Sequence, residues 1–302
     1  MKNQPLQVGI VGVGRFGTRH LEKWLQIANV NVCGFHDIDP GVVKRVSDHH
    51  NIPFFSLDDL IVCSDVLDIV VPASSHYAIA KSALKAGKHV FIEKPFAEKP
   101  EQAQELCTLA NAKGSRVGIG YIERFNPVYS ALKAQLQGVP EYIEAYRQGP
   151  FLPGVGVDVS IVLELMIHDI DIVRQLIPYP LESVSAKGEM IHTDKIDRAY
   201  AELIFGNGSR VLLHASRAEN ERRREVICLQ NGKKIVANFM QCMLQVQEED
   251  PLVFGKYDAM FDELSCFIEA VRNDHPYHIN EQDGLTAVEI AAAIENEIIS
   301  NI

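Results

Sequence analysis

Short apolar runs alternate with longer amphipathic segments through the first 121 residues of the chain. The apolar runs predict strands over residues 8–11, 30–35, 68–71, 90–92 and 116–121, the last taken as the sixth strand of a sheet. Helices are predicted between them, ending near residues 28, 86 and 113. Strands that alternate with helices of this length indicate βαβ units and therefore a parallel sheet.

The pattern changes after residue 121. Apolar and alternating runs predict strands over residues 142–148, 183–191, 199–205, 210–216 and 225–229. Helices are predicted over residues 126–137, 160–177, 258–272 and 281–300. Asn207-Gly208 predicts a hairpin turn between two of the strands.

These patterns predict an α/β protein with two domains. Residues 1–122 would form an N-terminal Rossmann domain with a doubly wound parallel sheet, and residues 123–302 a C-terminal α+β domain with a mainly antiparallel sheet. A chain of 302 residues is long enough to bury two cores of this kind.

Composition narrows the classes of function. The chain has 29 basic and 40 acidic residues and a net charge of −11, which argues against nonspecific nucleic-acid binding and anionic membrane surfaces. Its apolar runs are shorter than a membrane span, and residues 1–7 are polar, so neither a transmembrane helix nor a signal peptide is expected. The six cysteines contain no C-x-x-C pair, and a metal or disulfide role would need a spatial pairing that the sequence does not show, so buried reduced thiols are predicted. No metal site and a cytoplasmic location are therefore expected.

A glycine-rich loop follows the first predicted strand. The segment GVGRFG, residues 12–17, has the G-x-G-x-x-G spacing after a strand and before a helix, which the dinucleotide-binding motif requires. Gly12 allows a tight turn, Gly14 lets a pyrophosphate approach the backbone, and Gly17 lets the helix pack closely. The helix start, with Arg15 and Phe16, is therefore predicted to face the cofactor.

The end of the second strand predicts which cofactor binds. Asp37 follows Gly17 by about 20 residues, the distance at which an acidic side chain binds the ribose hydroxyls of NAD. Its charge would repel the 2′-phosphate of NADP, so NAD is predicted and NADP is less favoured. Alternatively, Asp37 is only an N-cap or turn residue.

Glu93-Lys94-Pro95 directly follows a predicted strand, which puts Lys94 at the sheet edge where open α/β sheets bind ligands. Because Pro95 restricts its own φ, the turn should be stiff. Such a turn is more often solvated surface, but the glycine loop upstream favours cofactor contacts for Glu93 and Lys94. Ser74 and His76, near the start of the preceding helix, are placed with them; His76 is alternatively an ordinary first-turn residue.

The helix predicted over residues 160–177 carries a polar stripe. Glu164, His168 and Asp171 are spaced by four and three residues, which puts them on one face of an α-helix, whereas Asp169 points elsewhere. Polar residues on an otherwise apolar helix are costly unless they are paired or functional. The stripe is therefore either a catalytic group or a satisfied buried histidine with two carboxylates.

With these motifs the chain resembles the Gfo/Idh/MocA oxidoreductases, the family of glucose–fructose oxidoreductase and inositol dehydrogenase. The resemblance covers residues 6–300 and rests on the glycine loop, Asp37, Glu93-Lys94-Pro95, Glu164-x-x-x-His168-x-x-Asp171, Phe261-x-Glu263-Leu264-x-x-Phe267 and Asp283-Gly284.

The resemblance implies hydride transfer between NAD and a secondary alcohol of a sugar-like substrate. Lys94 and His168 would be catalytic, and Glu164 would orient His168. Many relatives carry Asp where this chain has Glu164, whose extra methylene moves the carboxylate. The resemblance also implies a homodimer or homotetramer that is formed through the outer face of the C-terminal sheet.

Within the family, residues 120–127 and 165–171 are most similar to the UDP-N-acetylglucosamine 3-dehydrogenase branch. A nucleotide-sugar needs cationic partners for its diphosphate. Arg124 and Arg147 are accordingly predicted to bind substrate, and Asp171 of the polar stripe is predicted to bind it as well. Arg217 and the three arginines at 222–224 are further basic groups, although such a run is often a solvated face. The alternatives are an inositol or aldose dehydrogenase, a relative with permanently bound NAD, and a non-catalytic NAD-binding regulator.

Overall fold

The computed structural model describes residues 4–301; residues 1–3 and 302, with which the predicted domains begin and end, lie outside the described part. Internal contacts divide the chain into two units, Met1–Gly120 with Met260–Leu285, and Tyr121–Ala259 with Thr286–Ile302. The first unit ends close to the predicted boundary at residue 122, but it also takes a segment from near the C-terminus.

The first unit is built on a parallel sheet of five strands, β1 (Leu6–Val11), β2 (Val30–His36), β3 (Val66–Ile69), β4 (His89–Glu93) and β5 (Val117–Gly120). Their order is β2-β1-β3-β4-β5, so the chain reverses its direction of winding beside β1. All residues of β3 and β5 are buried, as expected for strands covered on both faces. The predicted Rossmann sheet is confirmed, and the strand taken as its sixth is its fifth.

Five helices connect these strands, α1 (Arg15–Trp24), α2 (Pro40–His50), α3 (Leu57–Cys63), α4 (Ala73–Lys85) and α5 (Pro100–Lys113). The sequence analysis did not include α2 and α3, and α1 ends four residues before the predicted position at residue 28. The side chain of Asp39 caps α2 by accepting the N–H groups of Gly41 and Val42. α5 ends at residue 113 as predicted, and Gly114 follows it in the left-handed conformation that favours glycine.

The second unit begins with a 3₁₀ turn (Ile122–Phe125), α6 (Pro127–Gln135) and β6 (Tyr142–Gln148). A π-helical segment (Val162–Met166) then runs into α7 (Ile167–Leu176). The remaining strands are β7 (Leu181–Glu189), β8 (Arg198–Phe205), β9 (Arg210–Ser216), β10 (Arg223–Gln230), β11 (Lys233–Asn238), β12 (Met243–Val246) and β13 (Leu252–Val253). The sheet has the order β13-β12-β11-β10-β6-β9-β8-β7, in which β6 and β9 pair in parallel and the other neighbours antiparallel. The mainly antiparallel sheet is confirmed.

Two helices end the chain, α8 (Ala259–Asn273) and α9 (Glu281–Ser300). The ring of Phe267 on α8 lies 5.4 Å from that of Phe91 on β4. It also lies over Gly118, where a Cβ would come within 2.7 Å of the Phe267 ring. Because α8 completes the core of the parallel sheet, the predicted division into 1–122 and 123–302 differs from the structure over this segment.

The eight-stranded sheet has a more buried face and a half-exposed outer face. On β9, Leu213 and Ala215 are buried, whereas the intervening His214 is half-exposed. His214 stacks on Tyr146 with ring centroids 4.4 Å apart and meets Tyr200 edge-on. The Tyr200 side chain is among the exposed large apolar groups. The outer face therefore combines aromatic area with polar groups.

Candidate active site

The glycine loop of the first unit has the shape that a dinucleotide requires. Gly12 has a φ of 85°, and a Cβ there would lie 2.5 Å from the carbonyl oxygen of Val70. A Cβ on Gly17 would lie 1.8 Å from the carbonyl oxygen of Gly12. Both positions therefore admit only glycine without a backbone shift.

Gly14 differs from Gly12 and Gly17 in having free space around it. A Cβ built on Gly14 would meet nothing within 4 Å. Gly14 is also the N-cap of α1, with no side-chain cap in the described part of the chain. Arg15 and Phe16 in the first helical turn are exposed. An anion can therefore approach the backbone N–H groups at this helix end, so these residues fit the pyrophosphate of a dinucleotide.

Asp37 ties the end of β2 to this loop. Its Oδ2 accepts the N–H of Val13 at 2.8 Å, and its Oδ1 accepts the N–H of Asp39 at 2.9 Å. Since Asp39 caps α2, the N-cap alternative for Asp37 is wrong. The hydrogen bond from the N–H two residues further on is that of an Asx turn, so Asp37 is also a turn residue. The carboxylate is half-exposed and held beside the glycine loop, where further lone pairs can accept hydroxyl groups.

Lys94 follows β4 at the carboxyl edge of the sheet, half-exposed, and its peptide bond to Pro95 is cis. Ser74 is exposed in the first turn of α4. His76 is different, because it is 1% exposed and its ring nitrogens face the carbonyl oxygens of Pro95 and Val71 at 2.7 and 2.9 Å. Burial lowers the pKa of His76. Its side chain therefore packs beneath the turn that carries Lys94 and contacts backbone carbonyl groups with both ring nitrogens. This corrects its predicted contact with nicotinamide.

A buried charged cluster lies beneath the Lys94 strand. His20 on α1 is fully buried, with Nδ1 3.0 Å from Asp68 Oδ2 and Nε2 3.3 Å from Glu93 Oε1. Trp24 donates its indole N–H to the same Asp68 oxygen at 2.7 Å. Burial alone would lower the pKa of His20, but the two carboxylates outweigh burial and raise it to about 10.

This cluster also corrects the assignment of Glu93. The Glu93 carboxylate points toward His20 and occupies the space over Gly120, where a Cβ would lie 2.6 Å from Oε1. Glu93 thus anchors the strand end instead of presenting its carboxylate to a cofactor. The sequence analysis did not identify His20 or Asp68. The available signal was a carboxylate inside the apolar strand β3, which requires a buried partner.

His168 lies on the first turn of α7 in the second unit. It is half-exposed and meets the buried ring of Tyr121 edge-on, with centroids 6.4 Å apart. Its Nδ1 atom is buried. Glu164 is also half-exposed and packs over Gly156, where a Cβ would meet its carboxylate.

The predicted single α-helix at 160–177 contains the π-helical segment, and this changes the polar stripe. Glu164 lies within the π turns, whose i→i+5 hydrogen bonds alter the register relative to an α-helix. Glu164 and His168 are half-exposed, but Asp171 is 2% exposed. The three side chains therefore do not share one environment as the spacing predicted. Single π turns inserted in helices are frequent at functional sites.

Asp171 and Arg124 pair with each other inside the second unit. Arg124 donates Nε to Asp171 Oδ2 at 2.8 Å and Nη2 to Oδ1. Their side chains are 4% and 3% exposed. This corrects the prediction that both bind substrate, because each ion satisfies the other.

Arg147 is engaged in the same way. Its guanidinium is 2.9 Å from Asp169 Oδ1 and 2.8 Å from Glu123 Oε1, with 3% of the side chain exposed. Asp169 thus binds a different arginine from Asp171 of the predicted stripe. Arg147 is therefore a buried structural cation and not a side chain presented to substrate. The partners Asp169 and Glu123 were missed as a pair, although both are carboxylates beside predicted apolar segments.

Arg217 is buried too. Its Nε donates to Asp197 Oδ1 at 2.7 Å, while Nη1 and Nη2 donate to the carbonyl oxygens of Gly156 and Val159. These bonds anchor the loop that packs over Glu164. Arg217 thus supports the loop and is removed from the basic groups predicted for a diphosphate.

The three arginines at 222–224 have different surroundings. Arg222 is exposed. Arg223 pairs with Glu225 and lies 3.3 Å over the ring of Tyr146 on the outer sheet face. Arg224 is 47% exposed and lies 3.9 Å from Glu123, whose carboxylate already binds Arg147. Arg224 is therefore a half-exposed cation beside the cluster that packs on α7.

Across residues 4–301, no helix is long and apolar enough to cross a membrane. The same residues contain no group of three or more His, Cys, Asp or Glu side chains arranged to hold a metal ion.

The chain is similar to known oxidoreductases over nearly its whole length. Residues 6–121 match the Gfo/Idh/MocA family described as "Oxidoreductase family, NAD-binding Rossmann fold". UDP-N-acetylglucosamine 3-dehydrogenase of Acidithiobacillus ferrooxidans is 30% identical, with 95% of each chain covered. A solved structure of that enzyme superposes with a TM-score of 0.92, at 29% identity and 98% coverage of each chain. Myo-inositol 2-dehydrogenase of Thermotoga maritima is 23% identical over 97% of this chain and 96% of its own.

The family match covers the glycine loop and the Lys94 strand, and the full-length similarity extends through the eight-stranded sheet. The first unit has both features at the expected places. Two positions of its loop admit only glycine, and a lysine follows the strand at the sheet edge. The chain belongs to the Gfo/Idh/MocA oxidoreductases, with an NAD-binding Rossmann fold.

Proposed function

We propose that this oxidoreductase transfers a hydride between NAD and a secondary alcohol carbon of a nucleotide-sugar, with C3 of UDP-N-acetylglucosamine as the favoured position. The observation that carries the proposal is the full-length similarity to the Acidithiobacillus ferrooxidans UDP-N-acetylglucosamine 3-dehydrogenase. The half-exposed side chains of Lys94 and His168 support it, since a side chain that is not buried can reach a ligand.

The bound cofactor would supply the hydride chemistry. The protein would position the substrate and transfer the proton. Nε2 of His168 accepts the proton of the substrate hydroxyl, because imidazole titrates near working pH and Nδ1 is buried. Nζ of Lys94 donates a hydrogen bond to the same oxygen and stabilises the charge that develops there. Glu164 orients the imidazole from the π-helical segment.

The diphosphate needs a cation that is not already neutralised. Arg124, Arg147 and Arg217 are buried in internal pairs. Arg224 and Arg222 remain as the exposed basic groups of the predicted set, so we assign the diphosphate to Arg224 first.

A screen of NADH production tests the substrate. We expect activity with UDP-N-acetylglucosamine and little with myo-inositol or simple aldoses, because the free polyols lack the diphosphate that Arg224 would bind. Activity with inositol and none with UDP-sugars would contradict the proposed nucleotide-sugar substrate. It would leave the assignment as an oxidoreductase intact. Purified protein with non-exchangeable NAD(H) would favour a permanently bound cofactor. Tight NAD(H) binding without turnover across the panel would favour a non-catalytic regulator.

Asp37 should make NAD the better cofactor. The double variant Asp37→Ser, Ile38→Arg removes a carboxylate beside the ribose and adds a cation for a 2′-phosphate, so the preference in kcat/KM should move toward NADP. Ile38 is 92% exposed, so the arginine enters without repacking. The matched control is Ile38→Arg alone, which should shift the preference less. A native enzyme that already prefers NADP would refute the role of Asp37.

We also propose a cytoplasmic homodimer or homotetramer that is formed through the outer sheet face. Tyr200 and Leu229 are exposed on that face, and covering apolar area favours association. Light scattering at micromolar concentration should give a multiple of 33.7 kDa. A mass of one chain would contradict the assembly.

A further inference from the structure

Two cysteines of the first unit lie in contact outside the nucleotide loop. Cys33 on β2 and Cys63 at the last position of α3 have their Sγ atoms 3.0 Å apart. They are 30 positions apart in sequence, so the packing of α3 against β2 brings them together. Both are half-exposed, whereas Cys107 and Cys228 are buried. A small oxidant in solvent can therefore reach this pair.

The pair needs little movement to bond. A disulfide has an S–S distance of about 2.05 Å, so the two sulfur atoms must approach by about 1 Å. Cys63 ends a seven-residue helix, and its thiol otherwise makes a long contact of 3.4 Å to the carbonyl oxygen of Leu60. β2 pairs with β1 on one side and is hydrogen-bonded at Phe35 to residues 53–55 on the other. Cys33 lies at a register shift in the β1–β2 pairing, where the regular ladder is interrupted.

We propose that Cys33 and Cys63 form a reversible disulfide when the protein meets a peroxide. The site takes a two-electron oxidant of the hydroperoxide class and is independent of the dehydrogenase chemistry proposed above.

The chemistry balances in two steps. The Cys63 sulfur attacks hydrogen peroxide, an S–O bond forms as the O–O bond breaks, and the product is a sulfenic acid with one water released. The Cys33 sulfur then attacks the Cys63 sulfur, the S–S bond forms, and the S–O bond breaks. The hydroxyl leaves with the Cys33 proton as a second water. Both sulfur atoms are oxidised and one peroxide is reduced.

The order of the two steps follows from the surroundings of the pair. Burial, and then the neighbouring Cys63, raises the pKa of the Cys33 thiol. We assign Cys33 the second step, in which it attacks a sulfur that is already held 3.0 Å away. Proximity compensates for its weak nucleophilicity.

The bond would close a covalent loop in the segment that carries Asp37, the residue proposed to bind the ribose of NAD. Residues 33–63 include Asp37 and α2, and the bond would attach α3 to β2. Because a cross-link restricts the unfolded chain, the oxidised protein should melt at a higher temperature than the reduced protein. In a reducing compartment such bonds are transient, so the state would report exposure to oxidant.

The test treats the native full-length protein with hydrogen peroxide, removes the excess with catalase, and counts thiols after denaturation. We expect two of the six thiols to be lost, the intact mass to fall by two hydrogen atoms, and peptide mapping to join Cys33 to Cys63. Dithiothreitol should restore all six thiols and the lower melting temperature.

The variants Cys33→Ser and Cys63→Ser should each abolish the cross-link, and either one suffices if the other fails to fold. Cys242→Ser is the matched control, since Cys242 is half-exposed and lies outside the pair, and it should keep the cross-link. Six thiols after oxidation, a different cysteine pairing, or only oxygen addition to Cys63 would overturn the proposal. If the two cysteines only share an S–H···S hydrogen bond and stay reduced, six thiols will be counted after oxidation.

Discussion

The variants Lys94→Ala and His168→Ala should each lower kcat by about 10²–10⁴-fold with UDP-N-acetylglucosamine, because each removes a positioned proton-handling group. His168→Ala should also remove the acidic limb of the pH–rate profile, since its neutral imidazole accepts the hydroxyl proton. NAD affinity should change little for His168→Ala, because the role proposed for His168 is to accept the proton of the substrate hydroxyl and not to bind the cofactor. Stopped-flow NADH absorbance and NAD titration measure the two effects.

The matched controls are Lys99→Ala and His49→Ala, which truncate exposed residues of the same types. Both should keep wild-type turnover and melting temperature. If Lys94→Ala and His168→Ala also kept wild-type turnover with the true substrate, the proposed catalytic roles would be wrong.

Local signals in the sequence were sufficient for the first unit. The glycine loop lies between its own strand and helix, and Asp37 ends the next strand, so residues 12–37 contain the information for the loop. Steric demands at Gly12 and Gly17 agree with the motif, since a Cβ would strike backbone at both. Patterns of this kind are read within one βαβ unit.

Side-chain partners in the second unit could not be predicted in the same way. Arg124 pairs with Asp171, 47 residues away, and Arg147 with Asp169, 22 residues away. The sequence shows that the charges exist, but which arginine faces a ligand depends on how α7 packs on the sheet. A buried charge requires a partner. That rule predicts pairing without saying which residue supplies it.

The π-helical segment shows a second limit of prediction from the sequence. Apolar periodicity at 160–177 predicted one α-helix, and a π turn keeps most of that pattern while it changes the register. The inserted turn is therefore invisible to spacing arguments, and Glu164 is the residue most affected. His168 and Asp171 both lie in α7 after it, yet one is half-exposed and the other is buried.

Arg147→Met should destabilise the protein by about 3–5 kcal/mol, because it leaves two carboxylates buried without their cation. Arg147 lies within 3 Å of both Asp169 and Glu123 and is 2% exposed. Methionine has similar length and no charge, so the loss reflects the missing ion more than a cavity. Urea unfolding monitored by fluorescence measures the change.

The pH dependence separates this role from substrate binding. Burial already raises the pKa of Asp169 with Arg147 present, and loss of the cation should raise it further. A carboxylate whose folded pKa exceeds its unfolded pKa binds more protons when folded, so stability falls as pH rises through that range. The deficit of Arg147→Met should therefore be largest at neutral pH and shrink toward pH ~5.

Arg224→Met is the control, because Arg224 is half-exposed and lies 3.9 Å from Glu123. A pair this exposed contributes about 0–1 kcal/mol, so stability should change little while KM for the nucleotide-sugar rises. The double variant Arg147→Met, Asp169→Asn should recover part of the lost stability, since it removes one of the unpaired charges. If Arg147→Met left stability unchanged and raised KM instead, Arg147 would be a substrate-binding residue, as its sequence position first indicated.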